Sequence, residues 1–248
     1  MLFTKYHNVM LCYLKDSMRD IPIGYFGSHR GKDCVYVHKD GAFHKYVLTS
    51  SKGREYQPLI ENYQRLNSQY KKYTEMWRRT YKYPPKNYDL ESIRRNRAGK
   101  FNGEFYRQLQ PVNCDDAMHP IEYKGLKLRS KNELMAAQIL DELGLEFKYE
   151  PMVTLNYGKS VLPDFAVYFP AIDLCILVEV YGMADENNYQ QNMTEKIKSY
   201  TAAGIWPDRD VVHFILPDSK NFDKDAFVTR LFATAENAIY TEDIIQRS

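Results

Sequence analysis

The run CILVEV, residues 175–180, constrains the fold of this chain more than any other stretch. It is almost wholly apolar and too short for a helix, so it reads as a central strand of a sheet. Glu179 breaks the run. A carboxylate in such a strand is costly unless it is paired with a cation or bound to a metal. By alternation Cys175, Leu177, Glu179 and Tyr181 share one face, and Ile176, Val178 and Val180 share the other.

The preceding segment, LPDFAVYF, supplies the other arm of a hairpin, and Asp164 near its start poses the same problem. Two carboxylates on neighbouring strands repel each other without a cation. A hard divalent ion with oxygen ligands resolves that repulsion. The plainer alternative is that Asp164 only begins a strand after Pro163 and that Glu179 forms a salt bridge.

The rest of the chain surrounds this hairpin with a mixed α+β or α/β pattern. Residues 3–18 are spaced as a helix. The stretch from Gly24 to Thr49 alternates like a β-meander, with Asp40-Gly41 as a hairpin turn. Tyr56, Ile60, Tyr63, Leu66, Tyr70, Tyr73 and Trp77 then recur every three or four residues, which predicts a long amphipathic helix over 53–81. A short basic helix is expected near 90–97. From residue 120 the order is an extended segment (121–128), helix (131–143), strand (146–156), strand (162–169), strand (174–181), helix (188–203), strand (211–216) and helix (222–238). Three parts follow: residues 1–52, 53–119 and 120–248.

A third acid precedes the hairpin. Ser130 and Glu133 form a capping box in RSKNE, which by itself explains Glu133. Glu133 also shares a helix face with Ala136, Ala137 and Leu140, which points it toward the sheet. Glu150 in FKYEPM is a weaker addition, since alternation turns it to solvent.

In order, RSKNE, KYEP, LPDF, LVEVYG and KIKSY resemble the PD-(D/E)xK nuclease superfamily. The likeness spans about residues 121–216 and is nearest in flavour to its bacterial, phage and mobile-element branch, with RecB-type domains and transposase endonuclease subunits. It implies a restriction-endonuclease-like mixed sheet flanked by helices and a Mg2+- or Mn2+-dependent nuclease, with DNA favoured over RNA. Carried over to this chain, Glu133, Asp164, Glu179 and the Val180 carbonyl become metal ligands. The LPDS at 216–219 has no matching glutamate strand after it.

The chain departs from that family at one position. The lysine expected two residues after the glutamate is Tyr181. In NNYQQNMTEKIKSYTAAGI, however, Tyr189, Met193, Lys196, Tyr200 and Ala203 fall on one helix face. Lys196 interrupts an apolar stripe that should meet the sheet, whereas Lys198 points to solvent. Some relatives of the resembled family place the lysine on this helix, and RecB-type members carry a Q-x-x-x-Y motif there. Lys196 and Tyr200 match that as K-x-x-x-Y. Lys196 is then the catalytic lysine, with Tyr181 and Tyr200 lining the site. A lysine reaching past the core edge to water is the simpler alternative.

Charge is unevenly spread. Residues 65–107 carry net +8 and residues 108–248 net −9. The basic block interleaves aromatics with Arg78, Arg79, Arg94, Arg95, Arg97 and Lys100, a pattern suited to phosphates and unpaired bases. Aromatics packed inside and a solvated basic face would give the same pattern.

No apolar run is long enough to span a bilayer. The four cysteines form no CxxC pair, which suggests free thiols and a cytoplasmic protein. Nucleic acid is the expected partner, with a protein partner or a homodimer as further options and no membrane. The competing function is a catalytically degenerate nuclease scaffold that binds nucleic acid or protein, as an inhibitor from a phage or mobile element would. A transposase-like nicking subunit that needs a partner is a third.

Overall fold

The computed structural model describes residues 4–95, 101–112, 120–155, 158–182, 187–216 and 221–245. The chain forms two compact units, one of Met1 with His7–Leu90 and one of Leu2–Tyr6 with Glu91–Ser248. The first helix, α1 (Thr4–Ser17), contributes residues to both.

In the first unit, β1 (Gly24–His29), β2 (Lys32–Lys39) and β3 (Ala42–Val47) form an antiparallel meander in that order. The second helix, α2 (Ser51–Thr80), lies across one face of it. Ile60 packs there against Val35 and Val37, flanked by Phe26, Tyr46 and Tyr56. Ser50 caps the helix by accepting the Gly53 N–H at 3.0 Å. Gly53 is required: a side chain there would strike the Val47 carbonyl. The helix stops at Thr80, and the Trp77 indole donates to the Tyr83 carbonyl at 2.7 Å just before Pro84-Pro85.

The second unit begins with two short helices, α3 (Leu90–Arg95) and α4 (Gly103–Gln108). A hairpin of β4 (Ile121–Tyr123) and β5 (Leu126–Leu128) precedes α5 (Lys131–Leu143). Then come β6 (Glu146–Tyr149), β7 (Val153–Thr154), β8 (Ser160–Val161), β9 (Phe165–Phe169), β10 (Leu174–Tyr181), α6 (Asn187–Ala202), β11 (Val211–Ile215) and α7 (Lys224–Ile245). The main sheet has the order β11-β10-β9-β6. β10 pairs parallel with β11 and antiparallel with β9, which pairs antiparallel with β6. The architecture is therefore mixed α+β, and every residue of β10 is buried, as CILVEV required.

The division falls near residue 90 rather than at 52 and 119. Val35 and Val37 of the meander pack against Ile60 of the long helix, so that helix belongs with it. Phe101, Tyr106 and Leu109 share a core with Cys175, Leu177 and Tyr200, so the segment before residue 120 belongs with the second unit. Lys148 reinforces this by donating to the Tyr106, Arg107 and Leu109 carbonyls at 2.7, 3.1 and 2.7 Å, where α4 ends.

Three extended segments differ from their expected bounds through local chemistry. The 121–128 segment turns at Lys124-Gly125, both with positive φ. The 146–156 strand breaks at Glu150, whose φ of 42° is left-handed and ends the extended run. The 162–169 strand starts only at Phe165, past Pro163, which lacks an N–H for a ladder. The last helix runs on to Ile245 instead of stopping near 238.

Candidate functional site

Asp164 and Glu179 meet where β9 ends and β10 continues. The last ladder pair between these strands is Val178 with Phe165. On its other side β10 bonds β11 through its odd-numbered residues: Leu177 donates to the Asp210 carbonyl and Tyr181 accepts from Leu216. Val180 therefore turns its backbone groups to the β9 side, beyond the last β9 partner. The Asp164 carboxylate takes over there, its Oδ2 accepting the Val180 N–H at 2.6 Å. The aspartate thus extends the ladder with a side chain and is fixed against the strand that carries Glu179.

Both oxygens of Glu179 are engaged from α6. Lys196 Nζ lies 2.6 Å from Oε2, and the Tyr200 hydroxyl donates to Oε1 at 2.6 Å. Lys196 also donates to the Leu162 carbonyl at 2.9 Å, two residues before Asp164. The Lys196 side chain keeps 29% of its surface exposed, against 2% for Glu179, so the ammonium connects a buried carboxylate to solvent. Lys198 is exposed, as its helix position requires. Lys196, on the helix that follows β10, thus contacts the strand glutamate directly.

Burial shapes the proton affinities. It raises Asp164 well above the ordinary aspartate range, and the nearby Glu179 charge raises it further. Glu179 is also raised by burial, although Lys196 and Tyr200 pull it back down. Burial pushes the Tyr200 hydroxyl up, which keeps it a donor.

Glu133, from α5, has hydrogen-bond partners of its own. Its oxygens accept from the Ser130 hydroxyl at 2.9 Å, the Arg129 N–H at 2.9 Å and the Tyr149 hydroxyl at 2.7 Å. Tyr149 pairs across the sheet with Phe165, and Phe165 with Val178, so it stands on the face opposite Glu179. Ser130 caps α5 by accepting the Glu133 N–H at 3.1 Å, while the Glu133 carboxylate reaches back to the Arg129 N–H instead of the Ser130 N–H of the expected capping box; its negative charge acts on Asp164 and Glu179. Glu150 is a correction. It is buried, not solvent-facing, because the left-handed turn at this residue breaks the alternation; Arg129 pairs with it at 2.8 Å. Tyr181 is buried, and its hydroxyl lies 3.1 Å from Nδ1 of His213, the residue beside Glu179 in the parallel register.

Among the described residues no group of three or more His, Cys, Asp or Glu side chains is gathered closely enough to hold a metal ion as it stands. The donor chemistry nonetheless suits a hard cation. Asp164 and Glu179 are carboxylates that repel each other, and Asp164 retains accessible surface.

Of the basic residues expected to contact phosphates, Arg78 is exposed and Arg79 pairs with Glu75 at 2.9 Å. Arg94 is half-buried and donates to the Pro170 carbonyl at 3.1 Å, so it serves the fold. The Arg95 side chain, Arg97 and Lys100 lie outside the described residues. Tyr73, Trp77, Tyr81, Phe101 and Tyr106 are buried, which removes them as stacking surfaces.

Sequence reasoning missed His213, Tyr149 and Arg129. His213 stands beside Glu179 in the parallel register and packs against the Tyr181 and Tyr200 rings. Its Nε2 is buried with no hydrogen-bond partner among the described residues. The polar residue inside VVHFI was the available signal, but placing it required the register.

No protein-family model matches the chain, and no curated protein or solved structure matches it either. Cys12, Cys34 and Cys175 are free thiols. No described helix is long and apolar enough to cross a membrane.

Proposed function

We propose that the second unit is a Mg2+- or Mn2+-dependent nuclease of the PD-(D/E)xK type, with a restriction-endonuclease-like sheet, that hydrolyses phosphodiester bonds and prefers DNA to RNA. The observation that carries this reading is Lys196, whose ammonium binds both Glu179 and the Leu162 carbonyl at the strand end where Asp164 lies. Asp164, Glu179 and the Val180 carbonyl would hold the cation, with Glu133 adding negative charge nearby. When bound, the cation supplies Lewis acidity toward the phosphodiester and a water molecule.

The chain's own residues have separable tasks. The Val180 N–H holds one oxygen of Asp164, which leaves the other for a ligand. Tyr200 fixes the rotamer of Glu179. Lys196 has three N–H donors, and two are used on Glu179 and Leu162. The third, on a partly exposed ammonium, is suited to a phosphate oxygen as charge develops there.

The test is cleavage of single- and double-stranded DNA and of RNA by the purified chain with Mg2+ or Mn2+. Activity should fall about a thousandfold or more in Asp164→Ala and Glu179→Ala. One observation favours the degenerate scaffold as a second reading: Lys196 and Tyr200 already satisfy both Glu179 oxygens without a cation. Titration calorimetry with Mn2+ separates the two. Heat that disappears in Asp164→Ala supports the nuclease, and its absence together with no cleavage overturns it. A nicking subunit that requires a partner would bind Mn2+ yet cut nothing alone.

A further inference from the structure

The meander of the first unit has a second face, opposite α2. By register this face carries Tyr25, Tyr36 and Lys45 in one row across the strands, and His38 with Phe43 in the next. Its rings form a continuous cluster. Tyr25 and Tyr36 stack with centroids 4.8 Å apart and planes 5° from parallel. Phe43 meets Tyr25 edge-on at 5.3 Å and His38 at 5.1 Å. Tyr25 is nonetheless 45% exposed and Phe43 51%, so the cluster shields itself only in part. A face of this kind needs a reason, because large exposed aromatics grouped together mark binding surfaces.

The charges on this face are of one sign. Lys32 and Lys45 are exposed on it. No acidic side chain of the meander joins them: Asp33 alternates to the helix side and Asp40 lies in the turn before β3. Aromatic surface bordered by cations and free of carboxylates complements a ligand that is flat, unpaired and anionic.

We propose that this open face binds single-stranded nucleic acid, with bases against the Tyr25–Phe43 cluster and phosphates beside Lys32 and Lys45. Stacking is available because unpaired bases expose their π-faces, whereas a duplex hides them. The rings already order one another, so little side-chain freedom remains to be lost on binding. The inference stands on the first unit alone and does not need the second to cut.

The test is fluorescence anisotropy of labelled single-stranded DNA and RNA oligomers of about 12 nucleotides with the full chain in EDTA. Chelation removes any cleavage, so this result is independent of the nuclease reading. The expected result is salt-sensitive binding that Tyr25→Ala and Phe43→Ala each weaken about tenfold and Tyr25→Trp retains. Lys45→Ala should reduce the salt slope by about one. Unchanged far-ultraviolet dichroism separates loss of contact from loss of fold. Three results overturn the proposal: no oligomer bound at low salt, alanine variants that bind like wild type, or a duplex bound as well as a single strand. Capture of a protein that depends on Tyr25 and Phe43, with no oligomer bound, would reassign the face to a protein partner.

Discussion

β10 and β2 are both eight-residue strands in the middle of their sheets, but they carry chemistry under opposite conditions. β10 is buried from end to end, and its carboxylate survives only because Lys196 and Tyr200 answer it. β2 buries Val35 and Val37 under α2; on its other face Cys34 is also buried, while Tyr36 is half-buried and His38 is exposed. A polar group in β10 must be satisfied, so structure and site are the same network there. On the open face of β2 a side chain can serve a ligand while contributing little to stability. Substitutions should therefore separate the two strands.

The largest effect is expected at Lys196→Met. It leaves Glu179, 2% exposed, without its counter-charge, and removing one partner of a buried pair costs about 3–5 kcal/mol. Urea unfolding at neutral pH measures this. The double variant Lys196→Met with Glu179→Gln should recover most of the loss, because Gln keeps the Tyr200 bond and carries no charge. A Lys196→Met protein within about 0.5 kcal/mol of wild type would show that water compensates Glu179 and would end the contrast with β2.

The same burial sets a pH dependence. Asp164 keeps its proton in the folded chain at pH values where the unfolded chain, near its ordinary 3.8, has lost it. Proton binding therefore favours the folded state. The contribution is complete below the unfolded pKa and is lost as pH rises through the raised value. Thermal melts without metal should show the stability of wild type relative to Asp164→Asn declining as pH rises through this window. Saturating Mn2+ should reverse the decline if the carboxylates bind it. A difference that does not vary with pH would mean that Asp164 is ionised at little cost.

On the helix-facing side of the meander, Gly53→Ala is expected to cost about 1–3 kcal/mol, since the added methyl meets the Val47 carbonyl and Leu48 Cα with little room to relax. Urea midpoints check this. It lies between the ion pair of β10 and the open face, because it strains packing without exposing a charge.

What could be read in advance follows the same division. CILVEV announced a central strand, because buried strands have no polar alternation to blur them. Lys196 was legible because a lysine on a packing face contradicts its helix. The lysine's partner Glu179 followed from the hairpin, but the Leu162 carbonyl did not. Glu150 was misplaced because one left-handed residue reverses alternation, and nothing in KYEP marks that turn. His213 was missed because its place beside Glu179 depends on a parallel register set by a helix crossover. The aromatics of 65–107 could not be sorted either: helical spacing alone does not tell Tyr73 and Trp77, which are buried, from Tyr83, which is 48% exposed.

The smallest stability effect belongs to Tyr25→Ala. The ring makes one stacked and one edge-on contact, and such cross-strand pairs are worth about 0.2–1 kcal/mol. Nearly half of the residue is already in water, so little apolar burial is lost with it. Its urea midpoint should therefore stay close to wild type while oligomer binding falls about tenfold. A loss as large as that of Lys196→Met would mean that the four rings are a small core of their own, closed on itself like β10. The open face would then have the same explanation as the buried one, and its aromatic residues would be there for the meander rather than for a ligand.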